Sequence, residues 1–429
     1  MTSSSLRGPR AWRWLALVSA IASSLVLAAP LWANAQSAPL SLTEALNRTV
    51  SADPTSTATQ RRLTAADANI RQAGVRPNPS LGIEAENFLG SNPYSGLNSA
   101  EFTLSYEQPL ERKSKRQARV GVASAERDLV LAQGRARTWD AMNTAQSLWV
   151  EAVAAEAEIG VAQERLNLAE QSQAEISRRV RAARDPLFAG SLANTDVANA
   201  RIALDQARAK ARQLKLQLAA LWGGGADFTL DPTVLQNTSA VSATPNLLDT
   251  PDLEVLRARQ RLSTAQVRVE TTRRVQDPTL SAGIRHFRDD GSVAFLVGGS
   301  IPLNRFDTNQ GNIERTRADA EAAAADLEVA ERIRQRDIAA ATIRMTNLAE
   351  EARRIETEVI PMAEKAVAQV REGFARGGFT YRDVIGAQET LINARARRVE
   401  ILKQFHIEKA ARDRLSGQWA PLIQTAAQN

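Results

Sequence analysis

The 429-residue chain contains no cysteine. That excludes disulfides, thiolate metal sites, a catalytic thiol and a lipidated N-terminal cysteine. Histidine is nearly as scarce. His286 and His406 are the only two, and neither has a partner at ligand spacing, so both read as satisfied or solvated imidazoles. No catalytic constellation can be assembled, so neither enzyme activity, nor a metal site, nor a cofactor is expected. The glycine run Gly223-Gly224-Gly225 lacks the Lys-Ser/Thr of a phosphate loop and reads as a linker. Aromatic residues are only 5% of the chain, which favours long helices packed through small side chains over a large aromatic core. After residue 35 no uninterrupted apolar run reaches the ~18 residues of a spanning helix. Charge of one sign is also lacking. The net charge is +6, but without Arg7, Arg10 and Arg13 there remain 51 basic against 48 acidic residues. Well-mixed charge on helices is a solvated face, and no nucleic-acid partner is expected.

What is present begins with a basic segment, the apolar run Trp14 to Leu31 and the small-x-small site Ala33-Asn34-Ala35. Residues 1–35 therefore read as a cleaved secretory signal, with a retained membrane anchor as the alternative. The organising stretch lies much later, at Ile301 to Gly311. Upstream, Val293, Phe295, Val297 and Ile301 fall on one side of a two-residue alternation. Downstream, from Asn312 to about Arg376, runs an Ala-, Glu- and Arg-rich segment interrupted only by Pro361 and Gly373. As one helix it would be on the order of 95 Å long. Pro302 suits a strand end, and Asp307 or Asn309 can cap the helix that comes next.

The same unit occurs earlier in the chain. Ser41-Leu42-Thr43-Glu44 is a capping-box pattern opening a helix, and a helical segment near 57–75 ends at Pro77-Asn78-Pro79. Leu81, Ile83 and Ala85 then alternate with Gly82, Glu84 and Glu86, and Phe102, Leu104 and Tyr106 with Thr103, Ser105 and Glu107, a hairpin apolar on one face. It ends at Pro109-Leu110, and a long helix is expected from about 115 to 184. Asp185-Pro186 and Gly190-Ser191 break it, and a further helix runs from about Asp196 to Trp222. Its apolar positions, Val197, Ala200, Leu204, Ala207, Ala211, Leu214, Leu218 and Leu221, alternate steps of three and four, a coiled-coil seam. Antiparallel packing of these two helices is expected from the short turn between them.

After a connector the pattern restarts. Asn78-Pro79-Ser80-Leu81 answers Asp277-Pro278-Thr279-Leu280, and Pro109-Leu110 answers Pro302-Leu303. Gly190 answers Gly377, and Asp196-Val197 answers Asp383-Val384, at spacings between 187 and 199 residues. The expected organisation is a signal peptide (1–35), a first repeat (36–222, hairpin 79–110, tip near 185–196) and a connector (223–251). A second repeat (252–418, hairpin 278–303, tip near 373–383) and a tail (419–429) complete it. Four strands per chain cannot close a barrel, and an open sheet edge is not tolerated in lipid. Three chains give twelve strands. The expected fold is mainly α with membrane β: a trimeric 12-stranded barrel continued by a long α-helical coiled-coil barrel.

Three signals carry a family resemblance. Pro302-Leu303-x-x-Phe306-Asp307-x-Asn309-x-Gly311 is similar to the second strand-to-helix junction of the TolC family of outer-membrane factors, the exit ducts of tripartite efflux and secretion systems. The segments Gly190 to Val197 and Gly377 to Val384 resemble its periplasmic tips. Glu84-Ala85-Glu86-Asn87-Phe88, followed by Gln108-x-Leu110-Glu111 and Lys115-Arg116, is similar to its heavy-metal, CzcC-like branch; where that pattern has a glycine pair, this chain has Lys113-Ser114. The resemblance spans about 40–420. It implies a homotrimer in outer-membrane lipid with a periplasmic extension, working with a periplasmic adaptor (membrane fusion) protein and an inner-membrane resistance–nodulation–division pump. The cargo it implies is heavy-metal cations, conducted passively, with drug efflux or type I secretion as the alternative. A periplasmic coiled-coil scaffold is the competing class, but it has no use for two amphipathic hairpins of membrane length.

The expected sites come from the same residues. Gly190, Ser191, Gly377 and Gly378 would shape adaptor-docking tips, and Asp196 and Asp383 the periplasmic mouth, either as a charged ring or as helix-capping acids. Glu84 and Glu86 share one strand face and would line the lumen, favouring cations or serving as generic polar residues. Pro109, Pro302, Phe306, Asp307, Asn309 and Gly311 mark the strand-to-helix junctions.

Overall fold

A computed structural model describes residues 38–239 and 250–426. The signal segment 1–35, the connector residues 240–249 and the end of the tail lie outside the described residues. From Pro39 onward the described chain forms a single unit.

Helix α1 (Leu42–Ser51) starts where the Ser41 hydroxyl accepts the Glu44 N–H at 3.2 Å. Helix α2 (Thr55–Ala73) starts beside Asp53, whose carboxylate accepts the Thr55 N–H at 2.8 Å and the Thr138 hydroxyl at 2.7 Å. Strands β1 (Ser80–Glu86) and β2 (Glu101–Pro109) come next, then α3 (Lys113–Arg181) and α4 (Leu187–Ala220). With 69 residues α3 is ~104 Å long at 1.5 Å per residue. The series continues with α5 (Pro251–Arg273), β3 (Thr279–Phe287), β4 (Val293–Ser300) and α6 (Gln310–Arg354). A π-helical turn at Ile355–Val359 leads into α7 (Ile360–Ala375), followed by α8 (Tyr381–Ser416) and α9 (Ala420–Ala426).

The two hairpins join through β2 and β3 into one antiparallel sheet of order β1-β2-β3-β4. Register separates its faces. Ile83 pairs with Leu104, Leu104 with Ile284, and Ile284 with Phe295, while Glu84 pairs with Thr103 and Thr103 with Arg285. One face thus carries Leu81, Ile83, Phe102, Leu104, Tyr106, Leu280, Ile284, Val293, Phe295 and Val297, all substantially exposed. Nothing among the described residues covers it.

The helical part is built around α3, which packs α4, α5, α2 and α8 along its length. Its largest core lies at mid-height, where Trp149, Val150, Val153, Leu218, Ile355 and Leu402 meet Phe228, Leu230 and Leu235 of the connector. Fully buried Ala152 and Ala154 let the columns approach closely, and the Trp149 indole N–H donates to the Leu40 carbonyl at 3.0 Å. Further along, Leu166, Val197, Ala200 and Leu204 form the α3/α4 seam, and Ala363, Val367 and Leu391 the α7/α8 seam.

Several boundaries differ from the sequence reading. Ile301 lies past β4, which ends at Ser300. The helix expected from Asn312 runs through Pro361, because the π turn absorbs the N–H that proline lacks. Asn309 is the residue preceding α6, but it sits in the left-handed region (φ 58) and its side chain caps no helical N–H. Helix α4 begins nine residues before Asp196. The turn is made instead by Ala182 to Pro186, and Gly190 and Ser191 lie inside the helix. Gly190 is tolerated there because burial of Ala189 and Ala193 against Ile176 and Phe374 drives the first turns of α4.

Candidate functional site

The far end of the helical columns holds two turns of the same construction. After α7 the Gly377 N–H donates to the Phe374 carbonyl at 3.0 Å and the Gly378 N–H to that of Gly373 at 2.8 Å, with Gly377 at φ +85. This is a Schellman closure. After α3 the Ala183 N–H donates to Val180 at 3.0 Å and the Arg184 N–H to Arg179 at 2.8 Å, with Ala183 at φ 56. The structural counterpart of Gly377 is therefore Ala183, not Gly190. Helices α4 and α8 begin 194 residues apart, whereas the pairing of Asp196 with Asp383 assumes 187, one heptad less.

The two aspartates accordingly do different jobs. Asp383 is the third residue of α8 and completes a capping box with Thr380, whose N–H donates to it at 2.8 Å and whose hydroxyl does so at 2.7 Å. These bonds hold its carboxyl below the ordinary aspartate range. Asp196 lies more than two turns inside α4 and is no cap. Its Oδ2 accepts the Tyr381 hydroxyl at 3.1 Å, a bond between the two helical hairpins. Burial first, and the neighbouring Asp196 charge second, push the Tyr381 hydroxyl well above the usual tyrosine range, so it remains a neutral donor.

Other residues that sequence reasoning missed complete this junction. Arg179 pairs with Asp185 at 2.6 Å, donates to the Phe374 carbonyl at 2.9 Å and places its guanidinium 4.4 Å from the centre of the Phe374 ring. Gln388 donates to the buried Ser172 hydroxyl at 2.9 Å, and Arg371 to Gln171 at 2.7 Å. Ile176, Ala189, Ala193, Phe374 and Val384 form the apolar layer between them. Outside it, Leu187, Phe188 and Leu192 are exposed on the first turns of α4, beside Gly190 and Ser191. Phe379 lies over Gly373, where any Cβ would overlap its ring. A single clue stood in the sequence: Tyr381 is one of only three tyrosines, and it comes three residues after the glycine break between two helices.

At the opposite end the sheet's polar face carries Glu84 and Glu86, but unequally. Arg285 donates to Glu86, Glu101 and Thr103, each at 2.9 Å, so Glu86 shares one cation with Glu101. Glu84 has no side-chain partner among the described residues.

The two strand-to-helix junctions also differ. At the first, beyond Pro109, the Leu110 N–H donates to the Pro278 carbonyl at 2.8 Å. Asp277 accepts the Arg112 N–H at 3.1 Å and the Lys115 ammonium at 2.9 Å. At the second, beyond Pro302, Asp307 accepts the Asn309 N–H at 2.8 Å, and the Asn309 amide donates to the carbonyl and carboxylate of Glu270, each at 2.9 Å. Gly311 lies in the first turn of α6 with open space around it, and Phe306 is exposed. His286 lies near the end of β3, and His406 is buried on α8 with its Nε2 3.0 Å from the Leu235 carbonyl. Among the described residues no three His, Asp or Glu side chains gather as a metal site, and no helix is long and apolar enough to cross a membrane.

A family model described as outer membrane efflux protein matches residues 46–222 and 246–418. Among curated proteins, the cobalt-zinc-cadmium resistance protein CzcC of Cupriavidus metallidurans is 28% identical over 394 residues, covering 90% of this chain and 92% of that protein. The nickel and cobalt resistance protein CnrC of the same organism is 29% identical over 277 residues, covering 62% of this chain and 64% of its own. Among solved structures, CusC superposes with a TM-score of 0.71 at 15% identity, covering 87% of this chain and 92% of its own. VceC of Vibrio cholerae gives 0.68 at 21% identity, covering 88% and 96%. These two establish the likeness of fold.

Proposed function

Because the chain belongs to the outer membrane efflux protein family, whose members are channels and not enzymes, we propose that it forms the outer-membrane duct of a tripartite efflux system exporting heavy-metal cations. The coarse part of this reading, an efflux channel akin to those of heavy-metal resistance systems, comes from the family and from the relatives. The finer parts are our own. Three copies close a 12-stranded barrel whose apolar face meets lipid and whose polar face, with Glu84, Glu86, Thr103 and Ser105, lines the lumen. The helical columns continue it through the periplasm, from which an adaptor and an inner-membrane pump deliver the cargo. The chain is exported by its N-terminal signal and contributes two structural repeats, a reading supported by the element series helix, strand, strand, long helix, helix occurring twice.

One observation carries the proposal: a four-stranded sheet with two unpaired edges and an exposed face that is apolar but for Gln108 and His286 near its ends, at one end of columns about 100 Å long. Such a sheet is stable neither in water, where that face is open, nor in lipid, where the edges are. Closure by further copies satisfies both. At the far end we assign Leu187, Phe188, Gly190, Ser191, Gly377 and Gly378 to adaptor docking, and the Tyr381–Asp196 bond with Asp383 to the mouth that constricts the resting tube. The junction residues Pro109, Pro302, Phe306, Asp307, Asn309 and Gly311 turn strand into column.

Two measurements test this. Detergent-extracted protein should scatter light as a trimer and form ion-conducting pores in a planar bilayer. A conducting monomer would overturn the architecture. Deleting the gene should lower tolerance to cobalt, zinc, cadmium or nickel, and unchanged metal tolerance with lost drug tolerance would reassign the cargo.

A further inference from the structure

The chain holds a template for its own assembly. Its sheet ends in two free edges, the outer side of β1 and the outer side of β4, each a row of backbone groups that require partners. One seam between the two hairpins is already made inside the chain. Across it Pro109 stands opposite Thr279 and Thr103 opposite Arg285, and the Leu110 N–H donates to the Pro278 carbonyl.

The sequence equates Pro109-Leu110 with Pro302-Leu303, and Pro79-Ser80 with Pro278-Thr279. That equivalence can be checked on the hairpins themselves. Ser80 lies opposite Glu107 in the first, which maps onto Thr279 opposite Ser300 in the second, as observed. Applied to the internal seam, it converts β2 against β3 into β4 against the β1 strand of another copy. The strand directions agree, because β4 runs antiparallel to β1 within one sheet, so a further copy continues the alternation.

We propose that β4 pairs antiparallel with β1 of the next copy, with Pro302 opposite Ser80 of the partner subunit. Gly298 then lies opposite the partner's Glu84 and Leu296 opposite the partner's Glu86. The Leu303 N–H donates to the carbonyl of the partner's Pro79. This register rests on the proposed closure of a common barrel by several copies.

Two independent observations support the register. It sets Val297 beside the partner's Ala85 and Gly299 beside the partner's Ile83 on the apolar face, and keeps both glutamates on the polar one; a one-residue slip would invert every side chain. The equivalence was drawn from the proline-containing ends, not from these faces. The exposed residues also lie where the missing strand would cover them. Leu110, beside β3, is 47% exposed, whereas its counterpart Leu303 is 88% exposed and its N–H has no partner among the described residues.

The absence of native cysteine makes the register directly measurable. Leu296→Cys with Glu86→Cys, and Gly298→Cys with Glu84→Cys, place thiols at directly opposed, non-hydrogen-bonded positions, about 4.5–5.5 Å apart between Cβ atoms. Leu296→Cys with Glu84→Cys tests a two-residue slip, with the thiols about 7–8 Å apart in the proposed register. Under mild oxidation both opposed pairs should give dimers and trimers on non-reducing denaturing gels, and the slipped pair should not. If the slipped pair links and the opposed pairs do not, in material that light scattering shows to be trimeric, the register is overturned while the barrel stands. If trimers form and no pair links, the proposed register is overturned as well. If wild-type protein is itself monomeric, the barrel reading fails and takes the register with it. The Leu296/Glu86 pair decides should the cysteine at 298, which must displace the Ser281 hydroxyl, prevent folding.

Discussion

Replacing Tyr381 by Phe removes one hydroxyl and leaves the ring in place against Phe374, whose centre is 6.5 Å away. What is lost is the 3.1 Å bond to Asp196, which ties the α7/α8 hairpin to the α3/α4 hairpin. A hydrogen bond to a charged acceptor contributes about 1.5–3 kcal/mol when buried. Asp196 is only partly buried and water can replace the lost donor, so about 1 kcal/mol is the appropriate figure. Per copy that shifts the balance between joined and separated hairpins about fivefold, and about 150-fold if three copies open together. Arg179 still holds the Phe374 carbonyl, so the variant should fold and assemble. Single-channel recording in a planar bilayer should show Tyr381→Phe spending a larger fraction of time in a high-conductance state. Because burial and Asp196 hold the hydroxyl above its ordinary range, the wild-type behaviour should not vary between about pH 6 and 9 through this residue. An unchanged open fraction in Tyr381→Phe, with trimers intact, would refute the role of the bond.

Leu104→Lys, at the centre of the apolar face, should destabilise the barrel by about 2–4 kcal/mol in urea titration, whereas Ser105→Lys on the opposite face should be tolerated. Gly377→Val should cost about 1–3 kcal/mol in thermal melting because φ is +85 there, while Gly190→Ala, inside α4 with nothing within 4 Å of its Cβ, should stabilise by up to about 1 kcal/mol. Equal effects at the two glycines would contradict the helix boundary. Burial lowers the pKa of His406, beside the Leu235 carbonyl, Lys409 and Asp413. The folded value is depressed, so its stabilisation is complete above ~6.5 and is lost as pH falls below that. His406→Gln should flatten the pH dependence of the melting temperature in that window.

Strand faces were legible because a period of two admits no ambiguity once several apolar residues alternate: Phe102, Leu104 and Tyr106 could face only one way. The helices were legible as helices, with the seam of α4 correctly aligned. Equivalence between the two tips was not. A heptad pattern matches itself when slid by seven residues, so Val384 aligned with Val197 instead of its structural counterpart Gly190. That slip carried Gly190 and Asp196 into the places of Ala183 and Ala189. Glycine was expected at the break because left-handed backbone favours it, but a Schellman turn accepted Ala183 there. Tyr381 and Arg179 stayed hidden because their partners, Asp196 and Phe374, are 185 and 195 residues away. No local period reports such a pairing.

Both carboxylate pairs singled out by the sequence divide their labour in the same way. Glu86 shares Arg285 with Glu101, and Asp383 is held at the N-terminus of its own helix. Glu84 has no side-chain partner among the described residues, and Asp196 engages only the Tyr381 hydroxyl. A ring of six carboxylates at either end would have to be held against its own repulsion. In the proposed trimer each Arg285 would offset only one of the two carboxylates it touches, and the capping bonds of Asp383 hold its carboxylate at Thr380 without removing its charge. Uncompensated carboxylates at either end of such a trimer would favour cations, since exposed charges act over about a Debye length, ~8 Å at physiological salt. Arg285 at the sheet and Thr380 at the start of α8 determine which of these acids is already engaged within the chain.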